Sequence, residues 1–156
     1  MKIIAKILAS LVLVVIHVSA TPTPSLEAGG PGRCLSFAQA EKRDLNIGEL
    51  REEYPAAVTA FPNQKAELAE GWKALQYTLR DRFQESCAKD LGGHKVFSLV
   101  LFEADGRITW VFHRGLAADE EGFFCEVVEE LAEEYRFPLT ASSPFSQCGT
   151  THFKEK

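Results

Sequence analysis

The sequence predicts an α+β domain, a small antiparallel sheet with two helices packed on one face, and three observations carry that expectation. Apolar residues recur at helical spacing between Gln64 and Lys89; the period drops to two on either side of Asp105-Gly106; helical spacing returns after Asp119. Length and composition set the frame. A chain of 156 residues, 46% hydrophobic and 25% charged, is an ordinary globular one that can bury a core without metal or oligomerisation. Lys and Arg total 17 against 22 Asp and Glu, a net charge of -5, which excludes a concentrated basic face and with it a phosphate-driven nucleic-acid binder.

The first residues predict export. Lys2 and Lys6 form a basic start, Ile7 to Val18 is almost wholly apolar, and Val18-Ser19-Ala20 offers the small residues of a signal-peptidase site. Residues 1–20 therefore read as a cleaved signal peptide. The apolar run, bounded by Lys6 and interrupted by His17, is short of the roughly 17 to 25 residues that span a bilayer, so no stable membrane anchor is expected after cleavage. A periplasmic or secreted location follows. Residues 21–33, rich in Pro and Gly with Leu26 the one large apolar group, read as a tail or linker, and residues 34–156 as a single domain with its core at about 60–154.

Each element of that domain has a local cause. Leu45, Ile47, Leu50 and Tyr54 suggest a short helical stretch that stops before Pro55, because the residue preceding proline avoids the helical region. Asn63 is placed to cap a long helix whose stripe is Leu68, Trp72, Leu75, Leu79 and Phe83, interrupted at Gly71 and stopped by Gly92-Gly93. Val96 to Glu103 and Arg107 to His113 alternate as strands around Asp105-Gly106, the dipeptide of a two-residue type I′ hairpin. Pairing Ala104 with Arg107 sets Phe97, Leu99 and Leu101 opposite Arg114, Phe112 and Trp110, and this face is expected under both helices. Val100, Phe102, Val111 and His113 share the opposite face with Val96, Ser98 and Thr109, an apolar mixture expected to meet water or a partner. Asp119, Glu120 and Glu121 suit the positive end of a second helix with stripe Phe124, Val127, Val128, Leu131 and Tyr135. Pro138 ends it. A last strand is expected over about Phe145 to Phe153, broken at Gly149.

Four cysteines, Cys34, Cys87, Cys125 and Cys148, enter an oxidising space in an exported chain, and an even count there reads as two disulfides. No Cys-x-x-Cys pair suggests a thioredoxin-type centre or a zinc ribbon. Proximity of consecutive elements favours Cys125 with Cys148, leaving Cys34 with Cys87. A search for catalytic residues finds none: Cys148 and His152 share a face of an extended strand but stand about 13 Å apart, and the acidic pairs have the spacing of solvated helix surfaces. No glycine-rich phosphate loop, metal set or cofactor signature is read, so no cofactor and no enzyme activity is expected.

The stretch from Val96 to Leu116, with Asp105, Gly106, Ile108, Val111, Arg114 and Gly115 in order, followed by an acidic amphipathic helix, Phe137-Pro138 and a terminal strand ending Thr151-His152-Phe153-Lys154, resembles the C-terminal domain of TonB and of TonB-related periplasmic proteins. It covers about residues 94–154. TonB proper has a membrane anchor and a long Pro-rich spacer, whereas a 13-residue tail reaches at most about 45 Å; the resemblance implies the architecture and the habit of adding a peptide as a strand, not energy transduction. The expected function is thus a non-catalytic module that binds an envelope protein or peptide, with Val100, Phe102, Val111 and His113 as its surface. The alternative is a small disulfide-stapled secreted enzyme inhibitor or enzyme.

Overall fold

A computed structural model describes residues 33–87 and 89–153; the expected signal peptide, and the tail but for Arg33, lie outside them. The chain runs β1 (Arg33–Ser36), α1 (Phe37–Lys42), α2 (Ile47–Glu53), α3 (Ala57–Ala60), α4 (Lys65–Ser86), β2 (Lys95–Phe102), β3 (Ile108–Arg114), α5 (Ala118–Glu134) and β4 (Phe145–His152). The strands form one sheet in the order β1-β3-β2-β4. Strands β3 and β4 each pair antiparallel with β2, and β1 adds a fourth strand, parallel to β3. The class is therefore α+β, on a mixed sheet.

The β2–β3 register is the expected one, with Phe97 opposite Arg114, Leu99 opposite Phe112 and Leu101 opposite Trp110. The turn that delivers it is different. Glu103 N–H donates to Arg107 O at 2.8 Å and Gly106 N–H to Glu103 O at 2.9 Å, and only Gly106, at φ 83°, takes positive φ. This is a type I turn closed by a left-handed glycine, not the type I′ turn, which needs positive φ at Asp105 too. Its extra residue would slip the register by one. A bulge undoes the slip: Phe102 pairs with Ile108 and Leu101 with Trp110, leaving Thr109 over, its hydroxyl donating to Leu101 O at 3.1 Å.

Both sheet faces are apolar and both are covered. Helices α4 and α5 lie together on one face, as expected, but it is the opposite one: Leu68, Leu75, Leu79 and Phe83 of α4 and Phe124, Val127, Val128 and Leu131 of α5 pack with Val96, Val100, Phe102, Ile108 and Val111. The Leu99, Leu101, Trp110, Phe112 face packs against Leu35, Ala40 and Leu50 from β1, α1 and α2. Alternation assigns residues to faces correctly but does not say which cover each receives when both faces are apolar. The surface expected for a partner is consequently core, with Val100 and Val111 at 2% and Phe102 and His113 at 0% exposure.

The N-terminal layer is held by specific caps and bonds. Ser36 and Gln39 exchange hydrogen bonds as a capping box that starts α1 directly from β1, and Asn46 Oδ1 accepts from Gly48 and Glu49 N–H to start α2. Ser146 N–H donates to Pro55 O and its hydroxyl to Tyr54 O, both at 2.8 Å, so the layer's far end is pinned to β4. Gly71 has a packing reason: a Cβ there would stand 2.8 Å from Pro138 Cγ. Strand β4 passes through Gly149 without the expected break, and the glycine has a packing reason: a Cβ there would meet the Trp72 indole nitrogen at 2.8 Å.

Candidate functional site

Strand β1 brings together what the sequence keeps apart. Cys34 sits beside Val111, and Ser36 beside His113, so Cys34 and His113 project from neighbouring strands onto the face that α5 crosses. Cys125, one residue after the buried Phe124, descends from α5 onto the same spot. Cys34 and Cys125 form a disulfide, with Cα atoms 5.2 Å apart and 91 residues between them in sequence. The expected pairs, Cys125 with Cys148 and Cys34 with Cys87, are not made: Cys87 is a buried free thiol and Cys148 an exposed one on β4. Cys148 faces the side of the sheet opposite α5, in register with Leu99, so the strand that follows α5 in sequence turns its thiol away from Cys125.

His113 completes the cluster. Its Nε2 lies 3.7 Å from Cys125 Sγ, and the two sulfurs and an imidazole nitrogen all lie within 4.8 Å of one another. The ring is fully buried and meets Phe124 edge-on, with centroids 4.9 Å apart. Burial lowers its pKa from 6.5 to about 4, since an apolar enclosure resists the imidazolium form, and the ring stays neutral at physiological pH. Its Nδ1 has no hydrogen-bond partner among the described residues. Neither has the hydroxyl of Ser98, the residue directly across the β2–β3 ladder from His113. Two orphaned buried polar groups at one register position, next to a disulfide, depart from the rule that buried polar atoms find partners.

The neutral imidazole can carry a proton to or from the disulfide sulfurs, and, with the disulfide reduced, two thiolates and the imidazole form a donor set for a soft cation. This overturns the expectation that the chain carries no catalytic residues and is no enzyme, which rested on the absence of such a constellation from the linear sequence. The other two histidines among the described residues are differently placed. His94 Nδ1 meets Leu91 O at 2.9 Å, and its Nε2 lies 3.7 Å from a Glu120 carboxylate oxygen. His152 and Cys148 lie on unbroken β4 opposite Lys95 and Leu99, four residues apart on one face, and are not brought together.

The sequence signal for this site was thin. His113 enters the sequence reading as one of four residues of a partner surface, and nothing in the sequence ties Cys34 to it, because β1 is four residues long and pairs in parallel with a strand far along the chain. Among the described residues no helix is long and apolar enough to cross a membrane. Comparison with protein-family models, curated proteins and solved structures finds no match, so the likeness to TonB rests on its motif residues alone.

Proposed function

We propose that this chain is a small disulfide-stapled exported enzyme of the thiol–disulfide exchange class, with the Cys34–Cys125 bond as its reactive group and His113 as its proton carrier. The observation that supports the reading is the imidazole nitrogen 3.7 Å from Cys125 Sγ, where a purely structural disulfide needs only apolar packing. Exchange begins at Cys125, which is half-buried where Cys34 is buried. An incoming thiol gives its proton to His113 Nε2 as its sulfur bonds to Cys125 Sγ. The Cys34–Cys125 bond breaks, its electron pair goes to Cys34, and His113 passes the proton on to that sulfur. The donor's second thiol then attacks the donor sulfur of the mixed disulfide and frees Cys125 as a thiol. The donor leaves oxidised by two electrons and the chain holds two thiols.

Burial opposes charge on His113, so the ring holds the proton only in passage between sulfurs. The test is reaction of the folded, oxidised chain with a dithiol, followed by alkylation and mass mapping. Cys34 and Cys125 become alkylated while near-ultraviolet dichroism stays native, and His113→Asn slows the reaction by roughly a hundredfold or more. Alkylation that tracks global unfolding would reduce the bond to a staple. Export is tested separately, by sequencing the N-terminus of the mature protein.

A second reading, binding of an extended peptide by strand addition, is favoured by the position of β4 at the sheet edge. Among the described residues its outer backbone meets Pro55 and Ala56 only at Ser146, and Cys148, Thr150 and His152 are exposed. Titrating isotope-labelled chain with extended apolar peptides should shift the amide signals of residues 147–152; absence of such shifts removes this reading.

A further inference from the structure

We propose that the reduced form of the chain binds one zinc ion through the sulfurs of Cys34 and Cys125 and Nε2 of His113. The inference rests on the exchange reading for how the thiols arise in the folded protein, and it names what the opened site takes up. The donors already stand within 4.8 Å of one another, carried by a strand paired into the sheet and a helix packed on the core. Two thiolates and a neutral imidazole are a soft donor set, and three protein ligands leave a fourth tetrahedral position for solvent on the half-buried side of Cys125.

Charge decides which soft ion fits. Phe124 packs edge-on against His113, Val111 is the cross-strand neighbour of Cys34, and no ion pair found among the described residues includes a member of the cluster. Two thiolates with a divalent ion make a neutral centre, whereas a monovalent ion would leave a net negative charge in the apolar core. Arg33, next to Cys34, extends its guanidinium over Trp110 on the other side of the sheet.

A second observation points to the same ligand. A histidine that binds metal through Nε2 donates its Nδ1–H to a neighbouring acceptor, which fixes the tautomer and the ring's aim. His113 Nδ1 is the orphan nitrogen, and the orphan hydroxyl of Ser98 is its cross-strand neighbour. The two atoms do not bond to each other in the oxidised chain; when zinc binds Nε2, Ser98 is the neighbour placed to accept from Nδ1–H and so to act as a positioning residue.

Reduction takes two electrons and two protons from a dithiol, which leaves as its disulfide. Binding then breaks the two S–H bonds, forms two S–Zn bonds and one N–Zn bond, and releases two protons to solvent with no change in the oxidation state of the metal.

The experiment uses the chain in three states: oxidised, reduced while folded by a phosphine, and refolded anaerobically with its thiols reduced. Each is given zinc, desalted and weighed by native mass spectrometry. One zinc is expected per chain in both reduced states and none in the oxidised state. Cobalt in place of zinc should produce the thiolate-to-metal charge-transfer band of a tetrahedral site. Cys148→Ser should bind zinc unchanged, and Ser98→Ala should bind it about 10- to 100-fold more weakly while still forming the disulfide. A refolded reduced chain that takes up no zinc, equal uptake by the oxidised chain, or loss of uptake in Cys148→Ser overturns the proposal. A disulfide that resists reduction in the folded chain, with zinc still taken up on refolding, sinks the exchange reading and leaves the ligand set standing.

Discussion

Neutral groups held deep in the core set the chemistry at the scale of single residues. Leu101 is fully buried on the face covered by α1 and α2, and Leu101→Ala should cost about 2 to 5 kcal/mol in denaturant unfolding. A loss under about half a kcal/mol would place the side chain at the surface. Charge at Phe102 or Val111 should act on folding: Val111→Asp should abolish the cooperative thermal transition, because a carboxylate would be buried beneath α4 and α5. Tyr135 gives a pH signature. Burial pushes its phenol from 10.0 up to about 12, so the unfolded chain loses this proton at lower pH than the folded one. The resulting stability is fully present below pH 10.0 and is lost as the pH rises from there through about 12. Alkaline unfolding of Tyr135→Phe should lack that part of the pH slope, and an unchanged slope would show that the phenol is not held neutral.

At the scale of elements, close packing outweighs helix propensity where α4 passes under the Phe137-Pro138 turn. Gly71→Ala on an exposed helix would stabilise by about 1 kcal/mol. Here the new Cβ meets the stiff Pro138 ring at 2.8 Å and Phe137 Cζ at 3.1 Å, and a destabilisation of roughly 1 to 3 kcal/mol is expected in its place; a raised melting temperature would contradict it. The long helices and the hairpin were legible in the sequence because each is specified by its own residues. The stripes from Leu68 to Phe83 and Phe124 to Leu131 are periodic, and β2 and β3 alternate across one turn. The hairpin register came out right through two compensating irregularities, the left-handed Gly106 and the bulge at Thr109, neither of which alternation reveals. What the sequence concealed is non-local. Strand β1 has four residues, too few for a periodicity, and its partner β3 lies beyond α4 and β2; with β1 unseen, the cover of each face, the partner of Cys125 and the whole Cys34–His113–Cys125 cluster stayed unseen too.

For the molecule as a whole, the N-terminal segment is an edge strand, β1, followed by a cover of α1 and α2, and it is clipped at two points. One clip is the Cys34–Cys125 disulfide to α5, and the other is the pair of bonds from Ser146 to Tyr54 and Pro55. Between them the cover is held by parallel pairing of β1 with β3 and by packing of Leu35, Ala40 and Leu50 on Trp110 and Phe112. The other face is packed by α4 and α5 through the larger apolar cluster and is expected to keep them when the disulfide is removed. A cross-link spanning 91 residues of chain restrains the unfolded state strongly, and its loss should lower global stability by about 2 to 5 kcal/mol. The local effect should be uneven. With Cys34→Ser and Cys125→Ser together, backbone hydrogen exchange should quicken across 33–53, where one of the two clips is gone, while α4, β2 and the β3–α5 unit keep most of their protection. Because Trp110 is stacked on Phe112 beneath this cover, with ring centroids 5.5 Å apart, its fluorescence should shift to the red as the cover loosens. Measured in a Trp72→Phe background, that shift reports Trp110 alone. Uniform loss of protection over every element would mean that the two layers unfold as one unit, and that reduction of this bond cannot be accommodated within a folded chain.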